Sequence, residues 1–166
     1  MRSIILNTIP KLLTTLGLAL GLGSSGIAAD HAGQANEHRG TPTQLELKAG
    51  KKLPTDATLR QAMDAIRASM DAALPGIHEH QFTAQQYRAL ASKIGAEVVA
   101  IIANCKLDPE ADAQLHMVIS DLLEGIEAME GKSRTARREA GAVKVGVALE
   151  KYDRYFEHSG WQALEH

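Results

Sequence analysis

One cysteine, Cys105, serves the whole 166-residue chain, so no internal disulfide can hold it together. Aromatic residues are nearly as scarce, at 4%, which leaves aliphatic side chains and alanine to build any core. Neither sign of charge dominates. The 18 Lys and Arg stand against 20 Asp and Glu, a balance that gives no electrostatic ground for a nucleic-acid partner. A Gly-rich phosphate loop, a His-Glu-x-x-His element, a Ser/His/Asp set and paired carboxylates are all missing. With no complete catalytic motif, the chain reads as a non-enzyme. Strand-like alternation and internal repeats are absent too.

What is present begins with an export signature. Arg2 and Lys11 are the charges that precede Asp30, an apolar stretch runs from Leu12 to Leu22, and small residues lead to Ala28-Ala29. That layout predicts a secretory signal peptide over residues 1–29. Its apolar run is too short for a spanning helix, which argues against stable membrane insertion after cleavage and for a periplasmic location. Residues 30–52 are rich in Gly, Thr, Gln, His and charge and show no apolar period, so they read as a flexible leader. An exported domain with one Cys must then draw its stability from apolar burial, which about 110 patterned residues can supply.

Residues 53–166 divide into four amphipathic segments. The first follows Pro54, with Thr55 as its expected N-cap, and carries Leu59, Met63, Ile66, Met70 and Leu74 on one face before Pro75-Gly76 ends it. The second opens with a capping box at Thr83 and Gln86 and bears Tyr87, Leu90, Ile94, Val98, Ile101 and Ile102. The third has Asp108 as cap, Pro109 at its first position and Glu110 at the positive dipole end. It is lined by Leu115, Ile119, Leu122, Ile126 and Met129 and stopped by Gly131. The fourth spans about 133–158 through Ala142, Val145, Leu149, Tyr152 and Phe156. Short connections make neighbours antiparallel, which predicts an all-α, up-down-up-down four-helix bundle.

This topology puts the starts of helices one and three, the end of helix four and the Cys105 loop at one pole. Met63 and His116 each lie about eight residues in, roughly 12 Å from that pole. Thioether, thiolate and imidazole suit a soft or borderline ion, copper first, so Cys105, His116 and Met63 form the candidate metal set, with Met117 nearby. Each has a plainer alternative: Met63 as core packing, His116 as a seam histidine, and Cys105 as an inert hydrophobe or the bond of a homodimer. The dipole at the start of helix three favours a Cys105 thiolate, while Asp108 and Glu110 oppose it. His78-Glu79-His80 offers a second cluster, or a solvated turn. Cleavage after Ala28 would give a mature terminus of Ala29-Asp30-His31 and a square-planar Cu(II) or Ni(II) site, which cleavage after Ala29 removes. Four of the six aromatics, Tyr152, Tyr155, Phe156 and Trp161, are expected to seal the pole beside the Cys105 loop. The basic run Lys132, Arg134, Arg137 and Arg138 reads as a solvated helix start.

The layout resembles the periplasmic bundle cytochromes of the cytochrome b562 and cytochrome c′ kind. That resemblance implies haem as an alternative cofactor, with Met63 and His158 as axial ligands. The C-x-x-C-H attachment motif is missing, and His158 falls beyond the last apolar turn. The segments Asn104-Cys105-Lys106-Leu107-Asp108-Pro109-Glu110-Ala111-Asp112 and Tyr155-Phe156-Glu157-His158-Ser159-Gly160-Trp161 are similar to a group of small exported bacterial proteins without an assigned role. This second resemblance implies fold and export and leaves activity open, including a cofactor-free interaction or stress role.

Overall fold

Apolar residues recurring every three to four positions can be buried together only if the chain coils with 3.6 residues per turn. The computed structural model, which describes residues 44–47 and 49–165, shows four such coils. They are α1 (Ala57–His78), α2 (Ala84–Asn104), α3 (Pro109–Glu130) and α4 (Arg138–Tyr155). Each packs along its sequence neighbour, and the α1–α4 seam is the least closely packed of the four. The connections 79–83, 105–108 and 131–137 are short, so the bundle runs up-down-up-down, as the sequence predicts. No strand occurs among the described residues. The expected signal peptide, residues 30–43 and 48 of the leader and the Ala29-Asp30-His31 motif lie outside them.

The helix ends follow from local chemistry. Asp56, rather than Thr55, caps α1, its carboxylate accepting from the Leu59 N–H at 2.7 Å. Thr83 and Gln86 close the expected capping box on α2, and Asp108 with Pro109 opens α3. Gly131 ends α3 at φ 80, and the Arg138 guanidinium covers the space a side chain there would need, donating to the Met129 carbonyl at 2.5 Å.

Three further features differ from the sequence reading. α1 continues through Pro75-Gly76 to His78, because Ile77 is buried in the core and Gly76 leaves room for the Phe82 ring folding back over the helix end. In α2, Val98 and Ile101 take the inward positions; Ile102, about 100° further round, is exposed. α4 spans less than expected at both ends. Residues 133–137 belong to the loop, where the Ser133 hydroxyl accepts from the Ala136 N–H at 3.0 Å, and Phe156 turns to an extended conformation.

That turn at Phe156 closes the loose seam. Leu53 donates its N–H to the Tyr155 carbonyl at 2.7 Å and accepts from the Glu157 N–H at 2.8 Å, forming a parallel bridge with Phe156. Leu53 and Phe156 are both completely buried. The C-terminal segment then runs into the same groove, burying Leu164 beside Gly146. Two open clefts share Ala163 and Leu164 as walls. One, of about 450 Å³, is backed by Leu149 and Asp153 of α4, and the other, of about 740 Å³, by Arg67 and Leu74 of α1. Part of the leader also touches the bundle: Leu45 packs against the core, and the Glu46 N–H donates to Oε1 of the buried Gln114 at 2.6 Å.

α3 and α4 cross most closely where two glycines face each other. A Cβ on Gly141 would stand 2.6 Å from the Gly125 carbonyl oxygen, and one on Gly125 would stand 2.8 Å from the Gly141 oxygen. Backbone cannot yield as a flexible side chain can. Gly141→Ala is therefore expected to lower stability by about 1–3 kcal/mol. A methyl on Gly95, in the middle of α2, meets nothing within 4 Å. Gly95→Ala is expected to add roughly 0.5–1 kcal/mol. Urea unfolding of both variants checks the pair, and a stabilised Gly141→Ala protein contradicts the close crossing.

Candidate functional site

The pole shared by the starts of α1 and α3 and the ends of α2 and α4 is organised around Asp56. One oxygen caps α1, and the other accepts from the Lys106 N–H at 2.6 Å, so a single carboxylate ties the start of α1 to the α2–α3 loop. The Cys105 thiol hydrogen-bonds to the same group, and Arg60 lies close by. Burial pushes the Asp56 carboxyl upward. The Leu59 and Lys106 amides, the thiol and the Arg60 charge outweigh it and hold the group below the usual carboxylate value.

Cys105 is half-buried and free of any disulfide. Desolvation, the Asp56 charge, the hydrogen bond to Asp56 and the Asp112 charge together push its thiol up to about 12, against a small opposing pull from the Lys106 N–H. The dipole of α3 thus fails to create a thiolate, because burial and the Asp56 and Asp112 charges outweigh it. His116, 65% exposed in its side chain, turns back along its own helix. Its Nδ1 lies 2.7 Å from the Asp112 carbonyl oxygen and 3.7 Å from the Asp112 carboxylate.

Met63 is completely buried and belongs to the hydrophobic core. The three candidate ligands therefore occupy three settings: an interior thioether, a neutral thiol against a carboxylate, and a solvent-facing imidazole. Asp112 is the link between Cys105 and His116, acting on the first through its charge and on the second through contact. Met117 is half-buried. Among the described residues, no three His, Cys, Asp or Glu side chains are grouped as a metal ion would need.

The pole also contains a polar cluster that the sequence reading missed. Tyr152, with none of its surface exposed, shares a 2.9 Å hydrogen bond between its hydroxyl and Nδ1 of His158. Nε2 of His158 stands 3.4 Å from the Asp64 carboxylate. The His158 side chain is only 5% exposed, which corrects its expected place beyond the last apolar turn. An uninterrupted α4 would have carried it outward, whereas the bridge at Phe156 folds it back over Tyr152. Desolvation lowers the His158 pKa against the pull of Asp64, with Arg60 reinforcing the fall. Burial and the charges of Asp64, Cys105 and Asp56 raise that of Tyr152, and Arg60 opposes. The aromatic seal expected here is present: Tyr152 stacks on Phe156 at 5.4 Å and meets Trp161 edge-on at 5.0 Å. The three-residue spacings of an amphipathic helix cannot announce such a cluster, since His158 lies beyond the end of α4 and Asp64 on another helix.

No family model, curated protein or solved structure matches the chain.

The opposite pole holds the second histidine cluster. His78 ends α1, and His80 adopts a positive φ of 54, so the segment is a turn and not an extended strand with two imidazoles on one side. His80 is well exposed and lies 3.4 Å from Glu139. Of the basic run, Lys132 and Arg134 lie in the loop, Arg137 is the N-cap of α4 and Arg138 its first residue.

The thiol environment gives a direct test. Cys105 is expected to alkylate slowly below pH 9, and Asp56→Asn, which keeps a capping side chain, is expected to accelerate iodoacetamide modification several-fold. Folding should also weaken as pH rises from the ordinary thiol value, 9.0, toward about 12, because the unfolded chain releases the Cys105 proton before the folded one does. A stopped-flow alkylation series in pH checks the first point and urea midpoints the second. An unshifted thiol in the wild type contradicts the Asp56 clasp.

Proposed function

We propose that this chain is an exported, non-enzymatic bundle that binds a transition metal, copper first, in the periplasm, with Cys105 as the principal donor. The observation that supports it is that Asp112 acts on Cys105 through its charge and contacts His116, so a thiol and an imidazole share one pole. Thiolate and imidazole are donors that Cu(I) prefers, and Cu(I) accepts two or three of them. His116 is open to solvent and needs only a rotamer change to leave Asp112. Met63 is best left to the core, since drawing its thioether outward would open a cavity. Because the thiol is neutral at rest, binding releases its proton, and affinity rises with pH.

Haem finds less support. Both ring nitrogens of His158 already have partners, and Met63 is sealed by its neighbours. An interaction role without cofactor draws on a different observation, the exposed Val99 and Ile102 on the last turns of α2. No helix among the described residues is long and apolar enough to cross a membrane.

Anaerobic Cu(I) titration against a competing chelator tests the metal reading. The expected result is one bound copper per chain, at least tenfold weaker in Cys105→Ala and in His116→Ala, and unchanged in Met63→Leu. Equal affinity in wild type and Cys105→Ala overturns it.

A further inference from the structure

We propose that Tyr152, His158 and Asp64 form a one-electron redox site, in which Tyr152 is reversibly oxidised to its neutral radical while His158 holds the phenolic proton. This inference is independent of the metal reading and uses none of its ligands.

The geometry carries it. Tyr152 is wholly removed from solvent, and its hydroxyl lies 2.9 Å from an imidazole nitrogen. A buried phenol needs a hydrogen-bond partner in any case, and a backbone carbonyl would satisfy it equally well. A carbonyl, however, cannot take up a proton at neutral pH, whereas imidazole can. Only the Nε2–H tautomer leaves Nδ1 free to accept from the phenol, and Nε2 faces the Asp64 carboxylate at 3.4 Å. That carboxylate is half exposed, so it can neutralise a positive imidazolium while remaining hydrated itself. The charged groups around the pair are Asp64 and Arg60 of α1 and Asp56 just before it, with the neutral Cys105 thiol on the adjoining side. Neutrality of His158 at rest, favoured by its burial, keeps Nδ1 ready to accept.

The rings supply the rest. Trp161, half-buried at the rim, meets Tyr152 edge-on at 5.0 Å and lies 5.1 Å from His158. An indole at that distance gives an electron a route between the surface and the phenol. On the other side Phe156, which does not oxidise readily, stacks on Tyr152 and helps keep water out.

The step balances as follows. A one-electron oxidant at the surface, such as a high-potential metal complex, accepts one electron from the phenol. The O–H bond of Tyr152 breaks and its proton bonds to Nδ1 of His158. The products are a neutral phenoxyl radical and an imidazolium facing Asp64. Return of one electron reverses both transfers.

Flash oxidation of the metal-free full chain with photogenerated ruthenium(III) tris-bipyridine, read by electron paramagnetic resonance, tests the proposal. The wild type is expected to give a neutral tyrosyl spectrum with a hydrogen-bonded g-tensor and a slower rise in deuterium oxide. Tyr152→Phe should abolish that signal. His158→Gln retains an acceptor oxygen but cannot take up the proton, and its radical yield should fall at least tenfold while thermal unfolding remains cooperative. An unchanged yield in His158→Gln, or the same signal in Tyr152→Phe, overturns the proposal. Should either variant fail to fold, the wild type decides alone: a tryptophanyl spectrum, a tyrosyl without a hydrogen-bonded g-tensor, or no solvent isotope effect overturns it.

Discussion

The Leu53 clasp is the contact on which the working pole depends. Three of the four helix seams are closed by direct helix packing, and the α1–α4 seam is packed far less closely. Two backbone hydrogen bonds from Leu53, one to Tyr155 and one from Glu157, join the segment before α1 to the end of α4. Thr55 adds a third link, its hydroxyl donating to the Glu157 carbonyl at 2.5 Å. Because Leu53 and Phe156 are fully buried, these bonds are shielded from water and the side chains add apolar burial to them. The clasp halts α4, turns the chain back and brings His158 over Tyr152.

Polar groups at this pole are consequently handled in pairs. Asp56 serves a helix start, a loop amide and a thiol at once, and its charge adds to burial in keeping Cys105 protonated. His158 satisfies a buried phenol on one side and meets a carboxylate on the other. Both arrangements place a titratable group where burial shifts its protonation and a charged partner adds to or opposes that shift, a pattern common at functional sites. The opposite pole carries exposed histidines and basic loop residues that pair mainly with Glu139 and Glu130 near the surface, where such contacts contribute little.

Much of the fold could be read from residue spacing, and the reasons for the exceptions are specific. The start of α3 was legible because Asp108-Pro109-Glu110 combines a cap, a preset φ and a favourable charge in consecutive positions. The stripe of α1 was legible too, from Leu59 to Met70. Pro75-Gly76 misled because the burial of Ile77 beyond it outweighs the helical hydrogen bond that proline removes. Of the candidate ligands, Met63 had the signature of a core residue and is one, and His116, at the edge of its stripe, is solvent-facing.

By itself the sequence determined the class: period-3.6 apolar patterning, short turns and a lone cysteine leave few arrangements other than an antiparallel helical bundle. It also determined that Cys105, the start of α3 and the aromatic end of α4 would share a pole, because hairpin connectivity alone dictates which ends coincide. Tertiary structure alone decided the chemistry there. Whether Cys105 is thiol or thiolate depends on its burial and on a carboxylate about fifty positions away in the chain, and His158 meets Tyr152 only because Leu53 ends α4 early. Helical periodicity describes one element at a time, whereas protonation and burial are set by groups that folding alone brings into contact.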